Sequence, residues 1–273
     1  MFSIELFPPK TDAGMEKLQA AVGELLPLGP EYISVTYGAG GSTQGRTFAS
    51  VDWLVGQGMD AAPHLSCIGS DRAEIGAILD RYQQQGIRRL VALRGDLPSG
   101  AGLGGLGELQ YANELVAFIR QRHGDWFHIE VAAYPETHPQ ASGAEADLRN
   151  FQRKVQAGAN AAITQYFYNA DAYFHFVRRC RAIGLDLPIV PGIMPISNYS
   201  QLARFSDACG AEIPRWIRRQ LQDCGDDLER IRAFGLEVVV DLCQRLLDGG
   251  APGLHFYSMN QAGPTQAILG RLS

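Results

Sequence analysis

Short apolar runs rich in β-branched and aromatic residues recur along the chain, at 2–7 (FSIELF), 31–37 (EYISVTY), 61–67 (AAPHLSC), 88–94 (RRLVALR), 128–134 (HIEVAAY), 161–167 (AAITQYF), 188–194 (PIVPGIM) and 253–259 (GLHFYSM). Their length and composition predict strands. Between them the apolar positions fall at helical spacing, over 13–26, 45–57, 71–85, 111–122, 144–157 and 169–183. The long connection 199–249 has room for two or three more helices. Gly86, Gly158 and Gly184 each stand just before a strand, where a glycine ends a helix.

Strict alternation of strand and helix implies parallel strands joined by right-handed crossovers. Eight such units in a chain of 273 residues match a (β/α)8 TIM barrel, an α/β fold. A doubly wound open sheet would give the same alternation and is the runner-up. No linker rich in Pro, Ser or charge divides the sequence, so a single domain over 1–273 is expected.

In a barrel, one parity of each strand meets the helices and the other faces the lumen. Ser3 and Glu5 of the first strand take the inward parity, as do Ser34 and Thr36 of the second and His64 and Ser66 of the third. Tyr134, His255 and Tyr257 fall on the polar parities of later strands. A purely structural lumen would be filled with Val, Ile and Leu. Polar groups arriving from several strands point to a polar ligand instead.

Composition removes some classes of function. A net charge of −5 argues against a nucleic-acid binder, which usually carries a basic face. The five cysteines are odd in number and form no CxxC pair, which favours reduced thiols over disulfides or a zinc knuckle. No apolar stretch is long enough to span a membrane, and the N-terminus enters a strand without a leader pattern. A soluble cytoplasmic protein is expected.

Several loops at strand ends could bind a ligand, each with a plainer reading beside it. GLGGLG (102–107) fits GxGxxG, but DLPSGA separates it from the preceding strand, so a loop is the better reading. TYGAGGST (36–43) follows a strand directly and could bring backbone amides to a ligand, or could be an ordinary connection. In LRGDLP (93–98), Arg94 could meet a phosphate and Asp96 a ligand ring, or the two could form a surface pair. YPETHP (134–139) gathers Tyr134, Glu136 and His138, which with His64 or Asp96 could hold a metal. Arg149, Arg153 and Lys154 make the next helix basic, suiting either a solvated face or a phosphate. Residues 211–230 read as a solvated amphipathic region, with a subunit contact as the alternative.

Glu5 poses the sharpest question. Burying an unpaired carboxylate costs several kcal/mol, which favours its neutral, proton-donating form. It is either a general acid or a quiet buried acid satisfied by an internal partner.

Taken together, FSIELFPPK, ISVTYGAGGST, AAPHLSC, VALRGDLP, VAAYPETHP, ADLRNFQRKVQAGANAAITQYF, PIVPGIMPISN, IPRWI and LHFYSMN resemble the methylenetetrahydrofolate reductases over nearly the whole chain. The similarity is to the bacterial form, a catalytic barrel without a regulatory domain. The resemblance implies FAD across the C-terminal mouth of the barrel, NADH or NADPH as electron donor, and reduction of 5,10-methylenetetrahydrofolate to 5-methyltetrahydrofolate in ping-pong fashion. It also implies a homo-oligomer.

By the same resemblance Glu5 is the general acid that opens the folate's five-membered ring, and Asp96 lies by the flavin's pyrimidine edge. Thr36, Tyr37, His64, Arg94, Gly95, Tyr134, His138, Ala141, Asp147, Asn150, Arg153 and Lys154 match FAD contacts. Gln165, Gln201 and Phe205 match folate contacts, Gln165 and Phe205 also serving the nicotinamide. One departure is Gln261, where the enterobacterial pattern has an arginine associated with the folate tail. No metal is expected. The alternatives are a metal-dependent barrel lyase or aldolase using His64, Asp96, Glu136 and His138, and a non-catalytic flavin- or folate-binding subunit.

Overall fold

The computed structural model describes residues 1–38, 44–95 and 107–272. Strand and helix alternate through β1 (Phe2–Leu6), α1 (Asp12–Leu25), β2 (Ile33–Val35), α2 (Gln44–Gly56), β3 (Ala61–Ser66), α3 (Arg72–Gln84), β4 (Arg89–Leu93) and α4 (Ala112–His123). β5 (His128–Ala133), α5 (Ala144–Gln156), β6 (Ala161–Thr164) and α6 (Ala170–Ala182) continue the pattern. Then come β7 (Ile189–Val190), β8 (Gly192–Ile193), α7 (Tyr199–Cys209), α8 (Arg215–Asp223), α9 (Leu228–Asp248), β9 (Leu254–Tyr257) and α10 (Ala262–Leu269).

All pairings are parallel, in the order β7-β6-β5-β4-β3-β2-β1-β9-β8. The predicted strand 188–194 is thus two dyads, β7 on β6 and β8 on β9. Pro191 divides them because it has no N–H to give a ladder. Its carbonyl still accepts the His255 amide at 3.0 Å, so the same stretch closes the barrel. The expected (β/α)8 architecture is what the chain forms.

The parity reading separates two cores. Ile4, Leu6, Ile33, Val35, Leu65, Leu90, Ile129 and Val131 pack outward against the helices. Tyr32, Ala62, Val91 and Ile163 form a smaller cluster in the lumen, with Leu93 and Tyr257 against it. Helix ends follow local chemistry: Asp71 and Glu74 make a reciprocal capping box on α3, and Gly86 (φ 78°) ends it in the left-handed conformation.

Predicted boundaries differ at the strand ends. β2, β4 and β6 stop at Val35, Leu93 and Thr164, and the next residues leave the ladder for the barrel mouth. Three helices fill 199–249, and α10, which the sequence reading missed, follows β9. No helix among the described residues is long and apolar enough to cross a membrane.

Candidate active site

The C-terminal ends of the strands surround a cavity of about 550 Å³. Of the residues singled out from the sequence, Glu5, Thr36, Tyr37, His64, Tyr134, His138, Gln165 and Phe205 line it. Tyr166, Met194, Cys209, Tyr257 and Met259 line it too. A smaller neighbouring pocket is bounded by Gln201 and Gln261, and shares Met194, Phe205, Tyr257 and Met259 with the main cavity. Residues from β1, β6, α7 and the start of α10 therefore meet at one mouth.

Glu5 forms part of the cavity wall, with a side chain 19% exposed. Its Oε2 lies 3.3 Å from His64 Nε2 and 3.7 Å from His255 Nε2. Both imidazoles are buried, and neither Nε2 has a hydrogen-bond partner among the described residues. Burial pushes the His64 imidazole below its ordinary value, with Glu5 opposing the shift, so His64 is neutral near pH 7.

The backbone around Glu5 is pinned by the segment after β9. Ser258 Oγ donates to the Glu5 carbonyl at 2.7 Å. Asn260 Nδ2 donates to the Phe7 carbonyl at 2.8 Å, and the Phe7 amide donates to Asn260 Oδ1 at 3.0 Å. Met259 and Asn260 take positive φ, 53° and 55°, a strained conformation of the kind that collects at functional sites. The sequence reading quoted these residues within LHFYSMN but assigned them no task.

Three phenols complete the polar wall. Tyr257 donates to the Thr164 carbonyl at 2.8 Å, and Tyr166 exchanges a hydrogen bond with Ser206 at 3.0 Å. Burial holds Tyr37, Tyr166 and Tyr257 above the usual phenol range, so each keeps its proton. Gly192 sits close below: a Cβ there would lie 2.2 Å from the Thr164 carbonyl and 2.6 Å from the Tyr257 ring.

A second set of expected residues is tied together beside the cavity. Arg94 Nη1 donates to Gln140 Oε1 at 2.7 Å, and Gln140 lines the cavity. The His138 amide donates to Asp147 Oδ2 at 3.0 Å, and the Ala141 amide to the His138 carbonyl at 2.9 Å. Arg153 donates to Asn150 Oδ1 on α5 at 3.1 Å. Lys154 turns inward to the Ala132 carbonyl, and burial pulls its ammonium down to about 8, Asp147 opposing. Gly95 has φ 84°, and a Cβ there would lie 1.8 Å from Ser66 Oγ.

Asp96, residues 39–43 of the TYGAGGST loop and residues 102–106 of GLGGLG lie outside the described residues. Among the described donors of the metal-dependent reading, His64, Glu136 and His138 are not gathered to hold a metal ion. The Glu136 carboxylate accepts the Glu212 amide at 2.8 Å and borders a separate cleft with Pro135 and Ala211. Among the described residues, no three of His, Cys, Asp or Glu are arranged to hold a metal ion.

Sequence reasoning placed Ser3 and His255 of the polar column beneath Glu5 on inward parities but missed Tyr32, Arg89 and Glu130. Ser3, His255, Tyr32 and Glu130 are all buried in the lumen, and Glu130 pairs with Arg89 at 2.6 Å. Period-two counting on HIEVAAY puts Glu130 on the same inward parity as Tyr134, so the signal was present.

Comparison with known proteins bears on the whole chain. The family model described as methylenetetrahydrofolate reductase matches residues 1–273. The 5,10-methylenetetrahydrofolate reductase of Escherichia coli (strain K12) is 40% identical over 267 residues, covering 97% of this chain and 88% of that protein. Methylenetetrahydrofolate reductase (NADH) 1 of Arabidopsis thaliana is 37% identical, covering 95% of this chain and 46% of its own length. Among solved structures, an uncharacterized protein from Clostridium thermocellum that binds two copies of 5-methyl-5,6,7,8-tetrahydrofolic acid superposes with a TM-score of 0.70 at 16% identity, covering 100% of this chain and 93% of that one. That likeness is one of fold. The match over the full chain, at 40% identity to a bacterial reductase, shows that this chain belongs to the methylenetetrahydrofolate reductase family.

Proposed function

We propose that the protein reduces 5,10-methylenetetrahydrofolate to 5-methyltetrahydrofolate with electrons from NADH or NADPH, using FAD bound at the barrel mouth. The observation that carries this reading is a carboxylic acid on the wall of a roomy cavity, flanked by two buried imidazoles, in a chain of this family.

The residues present fit a flavin. Ser34 Oγ, His64 Nε2 and Arg94 Nε are buried polar atoms without hydrogen-bond partners among the described residues. Gly95 leaves the space that a Cβ would fill. Thr36, Tyr37, His64 and Tyr134 would hold the ring, and Arg94, Gly95, His138, Ala141, Asp147, Asn150, Arg153 and Lys154 would hold the rest of the cofactor. Asp96 belongs to the same reading. When bound, the flavin supplies hydride chemistry that no side chain offers.

The protein's own part is orientation and a proton. Phe205 joins the main cavity to the pocket of Gln201 and Gln261, so one mouth can seat a pterin or a nicotinamide in turn, with Gln165 beside it. Glu5 donates its proton to the folate's ring nitrogen, which opens the five-membered ring and makes the methylene carbon a hydride acceptor. Positioned proton transfer of this kind contributes roughly 10²–10⁴-fold in rate.

The test is the visible spectrum of the purified protein under anaerobic conditions. A yellow flavin spectrum that NADH bleaches and methylenetetrahydrofolate then restores is expected. A colourless protein that oxidises no NADH in the presence of FAD and the folate would overturn the proposal.

A further inference from the structure

Glu136 carries chemistry that the proposed reaction does not use. It lies in the turn 134–139 after β5, between Tyr134 and His138, both of which line the main cavity. Its carboxylate borders the neighbouring cleft instead and accepts the Glu212 amide at 2.8 Å. Glu212 stands just past the end of α7, the helix that brings Gln201 and Phe205 to the mouth.

A glutamate is a costly choice for an ordinary turn. Burial and the Glu212 carboxylate both disfavour its charged form, and among its described neighbours the Glu212 amide favours it. What a glutamate adds over a small polar residue is reach, here to a backbone donor on another element.

The other bonds of α7 show what that reach supplies. At its start Asn198 Oδ1 accepts the Gln201 amide at 2.9 Å, a cap made within the same segment. In its middle Ser206 shares a hydrogen bond with Tyr166 at 3.0 Å. At its end Gly210 takes φ 77°, with its amide on the Ser206 carbonyl at 2.8 Å. Gly210 also lies against the β5 turn, where a Cβ would come 3.3 Å from Pro139 Cδ. The exit of α7 thus rests on that turn through the Glu136 bond and the Gly210–Pro139 contact.

We infer that Glu136 is a positioning residue whose bond to the Glu212 amide sets α7, and with it Phe205 and Gln201, against the wall of Tyr134 and His138. The inference rests on the function proposed above. Phe205 borders both the main cavity and the smaller pocket, so one displacement of α7 loosens the seat of nicotinamide and pterin alike. A helix correctly placed for only part of the time lowers apparent affinity by that fraction.

The first test needs no turnover. Hydrogen exchange of the intact protein, read by mass spectrometry over 199–213, should be about fivefold faster in Glu136→Ala, the size of one lost hydrogen bond. Exchange over β1 and α1 should not change. Glu136→Gln keeps an oxygen acceptor and should exchange as wild type does. Glu136→Asp keeps the charge but is a methylene too short, and should behave as the alanine variant. Wild-type exchange in Glu136→Ala, or protection kept by aspartate and not by glutamine, overturns the inference.

In stopped-flow half-reactions, Glu136→Ala should raise the half-saturating concentrations of NADH and of methylenetetrahydrofolate by the same factor, about fivefold. Limiting rates should stay within about twofold, with flavin content at the wild-type level. A change in one half-reaction alone, or in limiting rate at unchanged half-saturation, also overturns the inference. Should Glu136→Ala fail to fold, Glu136→Asp carries both measurements with a smaller perturbation. Exchange is read without either substrate, so failure of the reaction in every form tells against the proposed function and not against the placement of α7.

Discussion

Asn260 holds the peptide unit of Phe7 from both sides, donating to its carbonyl and accepting from its amide. The contact joins residues 253 apart in sequence and fixes the chain just after Glu5. Asn is suited to the task because it tolerates positive φ better than other side chains. Asn260→Ala removes two hydrogen bonds worth about 0.5–1.5 kcal/mol each and leaves alanine in a left-handed conformation. A loss of about 2–3 kcal/mol is expected, read as a drop of several degrees in melting midpoint. Asn260→Asp, which keeps only the acceptor, should fall between. An alanine variant melting with the wild type would show that the bracket does not hold the strand.

Glu5→Gln separates the two halves of the proposed reaction. Glutamine keeps the shape and loses the donated proton. Bleaching of the flavin by NADH should persist, while reoxidation by methylenetetrahydrofolate should slow by about 10²-fold or more. Stopped-flow absorbance at the flavin band measures both. Wild-type rates in both halves would return Glu5 to the role of a buried polar residue.

Gly95 is a matter of space. Its φ of 84° disfavours any L side chain, and a Cβ would sit 1.8 Å from Ser66 Oγ. Ser66 cannot swing away freely, because its hydroxyl donates to the Arg94 carbonyl at 2.8 Å. Gly95→Ala should cost about 2–4 kcal/mol from backbone strain and overpacking together. The exit of β4 should shift with it, so the purified variant should retain less flavin per chain. Wild-type stability and flavin content together would contradict this.

Much of this architecture was legible because strand and helix periods differ. Counting by two on FSIELF places Ser3 and Glu5 together, and the buried Ser3 confirms the face. The same count puts Glu130 inward as well, but its partner Arg89 sits in a strand that begins RRL, and nothing in that spacing pairs the two. The split at Pro191 was visible as a proline, yet only the pairing partners reveal that the two dyads serve different neighbours. Glu136 was legible as chemistry but misleading as geometry. Its spacing to His138 suited a ligand pair, whereas Thr137 at φ 76° turns the chain between them and the Glu212 amide takes the carboxylate.

Gln261 caps α10 at the mouth, with its amide on the Ser258 carbonyl at 2.9 Å and its side chain making no capping bond. It is exposed and borders the pocket of Gln201 and Phe205. A neutral side chain there forgoes charge-assisted pairing with a carboxylate tail. Gln261→Arg should lower KM for a folate with a glutamate tail by about fivefold, from ~1 kcal/mol for an exposed pair. The turnover number should stay within about twofold. An unchanged KM would place the tail elsewhere.

Glu136 gives a pH-dependent stability with a definite sign. Burial, with repulsion from Glu212 and despite the bond from the Glu212 amide, pushes its carboxyl up to about 7. The unfolded chain releases that proton near 4.5. The stabilising contribution of the neutral form is therefore fully present below pH 4.5 and is lost as the pH rises through 7. At pH 8 the folded state carries a half-buried charge, at a cost of about 1–2 kcal/mol after allowing for water around it. Glu136→Gln keeps an oxygen to accept the Glu212 amide and never ionises. It should be more stable than wild type by that amount at pH 8, with the gain shrinking toward zero as the pH falls to 4.5. Urea denaturation at several pH values measures the difference, and a gain that did not depend on pH would mean the Glu136 carboxylate is already comfortable in the fold.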